Sequence, residues 1–203
     1  NEHLADAVGG KVSFTHLLAW AVVRALREMP GMRTIFVAID GVPNRIYPEH
    51  VNFGVAVDVL KRDGSRALVV PSLKHAESLD FAGFFAAYND LVRRAQTGAL
   101  TPEDFADTTV SLTNPGTLGT TQSVPRLMAG QSLIVGIGSI GYPAEYAQAD
   151  PQALARLGVS KVITLTCTYD HRVIQGAESG AFLGLVADLV GGAHHRLHLL
   201  EVV

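Results

Sequence analysis

From Thr15 to Met29 apolar side chains return at helical spacing, at Leu17, Leu18, Ala21, Val22, Ala25, Leu26 and Met29, until Pro30-Gly31 ends the run. The pattern predicts a helix with one face turned to a core. The period then changes. TIFVAI, a turn at Asp40-Gly41 and RIY predict two short antiparallel strands joined by a tight hairpin. A second hairpin is predicted from NFGVAVDV, Asn52 to Val59, and RALVV, Arg66 to Val70, with its turn at Asp63-Gly64. Helical spacing resumes at Leu79, Phe81, Phe84, Phe85, Tyr88, Leu91 and Val92, with Ser78 as the predicted cap and Gly98 as the stop. Asp90, Arg93 and Arg94 fall on its polar face.

After Thr101-Pro102 three β-branched runs follow, TTVSLT, SLIVGIGSI and VITLTCTY, separated by loops rich in Gly, Pro and Thr. From Gly176 a helix is predicted through Phe182, Leu183, Val186 and Leu189, while the closing GGAHHRLHLLEVV has no clear period. Strands and helices in this order predict an α/β (α+β) sandwich, one mixed sheet with helices packed on one face.

With 203 residues, 48% of them hydrophobic, the chain suits one domain with a substantial core. A formal net charge of -3 and the lack of any basic run remove the electrostatic reason to expect nucleic acid or an anionic membrane surface. No apolar run is long enough to span a bilayer. A single cysteine excludes an intramolecular disulfide and fits a reducing compartment, so a cytoplasmic location is expected. The opening NEHLADAVGG reads as the tail of an interrupted helix, and the whole chain as a fragment of a longer protein.

Several motifs invite chemistry. GIGSIG, Gly136 to Gly141, matches G-x-G-x-x-G after an apolar strand, but Tyr142-Pro143 follows where a helix should open, and Lys161 stands where an acid should bind a ribose. Strand glycines explain it better than a dinucleotide. His194, His195 and His198 lack a partner carboxylate at a recognised spacing, whereas a zinc site needs three or four ligands, so they read as a solvated tail. Cys167 lies inside an apolar strand and reads as core. Neither a lipoyl-type D-K-A turn nor a thiamine-type GDG segment is present.

His171 in TYDHRVIQG and Thr113 in SLTNPGTLGT remain. Separately, each reads as local structure, a histidine at a strand end and a hydroxyl bonding its own turn. Together they offer a base for an attacking thiol and a donor for an oxyanion, the two parts that acyl transfer needs.

KVSFTHLLAWAVVRAL, VNFGVAVDV with VVPSLKHAESL, TGALTPEDF, VSLTNPGTLGT and TYDHRVIQGAESGAFL resemble, in this order and over nearly the whole chain, the catalytic domain of dihydrolipoamide acyltransferases. These are the E2 components of 2-oxo acid dehydrogenase complexes. SVPRLMAGQ, the YPAEY loop and DHRVIQGAESG resemble in particular the E2-like domain fused to a thiamine-dependent E1 in actinobacterial 2-oxoglutarate dehydrogenase/decarboxylase. The resemblance implies a chloramphenicol acetyltransferase-like fold over residues 1–203, with the family's first helix and strand missing. It also implies trimers, or multiples of trimers, with active sites in channels between subunits. It assigns the base to His171 and oxyanion support to Thr113, just before Asn114. At Gln175 most members carry an Asp that orders the loop, and an amide cannot hold that fixed charge.

The expected reaction is succinyl transfer between dihydrolipoamide and coenzyme A. The lipoyl group would arrive on a partner protein, and thiamine diphosphate and Mg2+ would belong to a fused E1 module. Arg126 and Lys74 are candidate coenzyme A contacts on charge alone. The alternative is a degenerate E2-like core kept as a trimerisation scaffold for that module. An antibiotic acetyltransferase shares the fold but explains TGALTPEDF and VPSLKHAESL less well.

Overall fold

The structure, a computed structural model, describes residues 6, 8–61, 63–191 and 198–202, the last five as backbone. His194 and His195 lie outside the described residues, and His198 opens a strand rather than continuing a helix.

Helix α1, Phe14–Glu28, begins where Ser13 accepts the His16 amide on its side chain while His16 Nδ1 accepts the Ser13 amide. This is a capping box with histidine in the position usually held by Glu or Gln. The next segment turns back on itself as β1, Ile35–Ile39, and β2, Val42–Ile46, paired Ile39 to Val42. Asp40 and Gly41 have φ of 50° and 77°, the two left-handed positions of a type I′ turn, as the Asp-Gly pair predicts.

The run from Asn52 to Val59 forms two strands, not one. β3, Phe53–Val55, enters the main sheet, and β4, Val57–Leu60, pairs with β5, Arg66–Val69, in a separate hairpin. Short β6, Ser72–Leu73, edges the main sheet. Helix α2, Phe81–Thr97, is capped by Asp80, whose side chain accepts the Gly83 amide, and ends at Gly98. The expected cap, Ser78, instead donates to the His75 carbonyl in a 3-10 turn. Three central strands follow: β7, Val110–Thr113, β8, Leu133–Ile137, and β9, Thr164–Tyr169. A short helix unforeseen in the sequence, α3, Pro151–Arg156, precedes β9 on an Asp150 cap. Helix α4, Gly176–Gly191, and β10, His198–Val202, complete the chain.

The main sheet runs β10-β9-β8-β7-β3-β6 and is mixed: β8 meets β7 in parallel and β9 antiparallel. Helix α1 packs on both α2 and α4, and α4 rests on β9 and β10, so the long helices share one layer. Phe53, Phe84 and Phe182 are fully buried between helices and sheet, each contributing about 1.5–3 kcal/mol by leaving water. Cys167 is wholly buried in β9, as core. Two glycines of GIGSIG, Gly136 and Gly138, answer to packing: a Cβ on Gly138 would sit 2.0 Å from the Thr121 carbonyl oxygen.

Candidate active site

Strand β7, inside the sheet, delivers Thr113 to its C-terminal end, where Asn114-Pro115 ends the strand and opens a 3-10 turn over Pro115–Leu118. Proline at that point removes the amide a further ladder bond would need. Asn114 Nδ2 donates to Thr15 Oγ1 at 2.8 Å, tying the turn to the start of α1. Thr113 is half-buried, and its hydroxyl has no hydrogen-bond partner among the described residues. It is therefore free to donate outward.

Thr113 and Asn114 border a cavity of about 830 Å³ between the β4–β5 hairpin, the N-terminus of α1 and one side of α2. His16 and Tyr88 form its inner wall, in edge-to-face contact at 4.9 Å between centroids. Burial pushes the Tyr88 phenol up to about 12, and burial also lowers the His16 pKa against a raising hydrogen bond to Asn89, so both rings are neutral near pH 7. Neither wall residue was singled out as functional in the sequence; the only local signal was a histidine in the S-x-x-H cap.

His171 stands elsewhere. The register pairs Thr113 with Gly136 and Leu133 with Tyr169, so Thr113 lies at one end of β8 and His171 follows the strand that ends at the other. Leu133 to Gly136 alone spans about 10 Å. Beyond it the chain continues outward in opposite directions. Within one chain the two candidate catalytic groups do not meet.

His171 is exposed in the turn after β9, its ring 5.5 Å from that of Tyr169, and no hydrogen bond holds the imidazole among the described residues. Beside it Asp170 grips Arg172 through two bonds, Nε at 2.8 Å and Nη2 at 2.6 Å, and that pair holds the Asp170 carboxyl below the usual carboxylate range. Gln175 is exposed, and only its backbone is engaged: its amide donates to Glu178 Oε2 at 2.9 Å, and its carbonyl accepts from the amides of Glu178 and Ser179. Among the described residues the Gln175 side chain makes no hydrogen bond.

Arg126 is exposed on a second cleft that it shares with Asp170, Arg172 and Gln131, at the His171 end. Lys74 is already engaged, donating to Ser72 Oγ at 2.8 Å and to the Ala106 carbonyl, with Asp104 and Asp107 nearby. Lys74 directly follows β6, the edge strand far from β9, so Lys74 and Arg126 do not converge. Among the described residues no three His, Cys, Asp or Glu side chains are grouped to hold a metal ion, and no helix is long and apolar enough to cross a membrane.

The family model for the 2-oxoacid dehydrogenases acyltransferase (catalytic domain) matches residues 1–197. The chain belongs to that family. It is 53% identical over 190 residues to a multifunctional 2-oxoglutarate metabolism enzyme of Mycobacterium sp. (strain JLS), covering 94% of this chain and 15% of the relative. The chain thus spans a small part of that relative's length. Among solved structures, a dihydrolipoamide acetyltransferase of Azotobacter vinelandii superposes with a TM-score of 0.72 at 22% identity, over 94% of this chain and 73% of that one. In that protein a serine, a histidine and an asparagine four positions beyond the histidine were studied for their role in the catalytic mechanism. A chloramphenicol acetyltransferase matches with a TM-score of 0.52 at 16% identity, over 93% of this chain and 82% of that one. The fold is therefore the one shared by E2 catalytic cores and chloramphenicol acetyltransferase.

Proposed function

We propose that this acyltransferase domain moves a succinyl group between a dihydrolipoamide thiol and coenzyme A, at sites assembled between copies of the chain. The observation that carries the assembly is the separation of His171 and Thr113 at opposite ends of one sheet, each with its functional atoms without a hydrogen-bond partner among the described residues. A second copy must complete each site, and closed trimers, or multiples of them, give every copy the same environment.

In the reaction His171 takes the proton of the attacking thiol, and the resulting sulfur anion adds to the thioester carbonyl. The Thr113 hydroxyl of the neighbouring copy donates to the oxyanion so formed. Collapse breaks the original C–S bond, and the departing sulfur recovers a proton from the imidazolium. The succinyl choice is supported by the 2-oxoglutarate relative, and the amide at position 175 by the asparagine at the matching spacing in the Azotobacter vinelandii protein. The lipoyl group would come on a partner protein in the cytoplasm, with coenzyme A as the second substrate. Arg126, unlike Lys74, is left free to meet coenzyme A phosphates. Thiamine diphosphate and Mg2+ would serve an E1 module elsewhere in the longer protein. The test is transfer from succinyl-coenzyme A to free dihydrolipoamide. Turnover above background that depends on His171 supports the proposal, and a background rate favours the scaffold reading.

A further inference from the structure

The loop that carries His171 needs an anchor. Among the described residues its imidazole has no orienting hydrogen bond, and Gln175, where the family's ordering carboxylate would stand, engages only through its backbone. The direction of the imidazole is set by the backbone of residues 170–174. That backbone is pinned from below by Val173 and Ile174, both buried, and closed on itself by the amides of Val173 and Ile174 donating to the Asp170 carbonyl at 3.1 and 3.0 Å.

The outer side is held by Arg172. Its guanidinium lies 3.7 Å from the centroid of the Phe36 ring, well inside the range of a cation–π contact, while its other face of donors is forked onto Asp170. Phe36 belongs to the β1–β2 hairpin, a two-stranded sheet separate from the one that ends at Tyr169. A bidentate fork fixes the plane of the guanidinium, and the ring beneath it fixes its position. Two contacts of different character, one local and one spanning the fold, converge on the residue next to His171.

We infer that Phe36 and Arg172 are positioning residues for His171: the aromatic ring of the hairpin and the Asp170-forked guanidinium hold the catalytic loop, replacing the ordering contact that a carboxylate at position 175 would supply. The inference rests on His171 being the base. Loss of the clamp lets the imidazole wander, so the damage falls on turnover. A misplacement near 1 Å is enough to cost on the order of a hundredfold.

The test uses the full-length protein with Phe36→Leu, Phe36→Tyr, Arg172→Gln and the Phe36→Leu/Arg172→Gln double variant, assayed for succinyl transfer from succinyl-coenzyme A to dihydrolipoamide. Phe36→Leu and Arg172→Gln are each expected to lower kcat about tenfold or more with KM for dihydrolipoamide within about twofold. Phe36→Tyr keeps the ring face and should restore kcat. The double variant should be no worse than the poorer single, since both act through one contact. Unchanged kcat in Phe36→Leu, equal loss in Phe36→Tyr, or fully multiplicative losses in the double variant would overturn the clamp. His171→Ala, run alongside, separates the two readings. If it keeps wild-type turnover, the assignment of the base fails; if it is inactive while Phe36→Leu is normal, the clamp alone fails. Thermal melts of each variant identify any that fail to fold, and the tyrosine variant then carries the decision.

Discussion

Gly138→Ala puts one methyl group where the main chain leaves no room. The added Cβ would lie 2.0 Å from Thr121 O and 2.9 Å from its carbonyl carbon, against an ordinary contact that begins near 3.4 Å, so the two backbones must separate by about 1.4 Å. Both obstacles are main chain, and neither can swing aside as a side chain could. The Ser139 amide donates to Thr120 O at 2.8 Å across this gap, and opening it loses that bond, worth about 0.5–1.5 kcal/mol. Overpacking strain adds about 1–3 kcal/mol. A total near 2–4 kcal/mol corresponds, for a domain of this size, to a melting temperature lower by about 5–15 °C. Gly141→Ala is the control from the same motif, because its Cβ would meet nothing within 4 Å, and it should stay within about 0.5 kcal/mol of wild type. Calorimetry or urea unfolding of both variants reads the difference. A Gly138→Ala protein as stable as Gly141→Ala would refute the reading of Gly138 as a site of close backbone approach.

Thr113→Ala should lower transfer about 10²–10³-fold with an unchanged melt, since the hydroxyl has no hydrogen-bond partner among the described residues, while Thr113→Ser keeps most activity; an equal loss in both variants would return the residue to a structural role. The buried His16 has a folded pKa below its unfolded value near 6.5, so the unfolded chain binds the proton first, and stability present above about pH 6.5 is lost as pH falls below it. His16→Gln keeps an S-x-x-Q cap but cannot titrate, and its melting temperature should fall less between about pH 7 and 5.5 than the wild type's; parallel curves would contradict this. Gln175→Asp should give no gain in transfer, because the Gln175 side chain makes no hydrogen bond among the described residues and the loop is held at Arg172; a clear gain that depends on His171 would show a site crippled by the missing carboxylate.

Local chemistry was the legible part of this chain. Asp40-Gly41 dictated a turn and Asn114-Pro115-Gly116 ended a strand, because each constraint acts on its own backbone. The segment from Asn52 to Val59 misled, since alternation continues across Ala56 while the pairing partner changes from β7 to β5, and a period of two carries no record of the partner. Ser78 and Asp80 are both good caps, and the choice fell to Asp80 because a left-handed His75 had already drawn Ser78 into a 3-10 turn. The candidate site divides the same way. Thr113 and His171 each read as local structure alone and as donor and base only when paired and matched to the family, but their separation depends on β9 running antiparallel to β8, which strand composition does not encode. The contact of Arg172 with Phe36 joins residues brought together only by the finished fold.

The central claim, a site shared between copies, is tested most directly by co-assembling two inactive variants, His171→Ala and Thr113→Ala, at equal amounts in the full-length protein. If each site takes its histidine from one copy and its threonine from the next, random assembly restores both native groups in about one site in four, so the mixture should recover about a quarter of wild-type succinyl transfer. A co-assembled mixture no more active than the two variants measured apart would contradict the account.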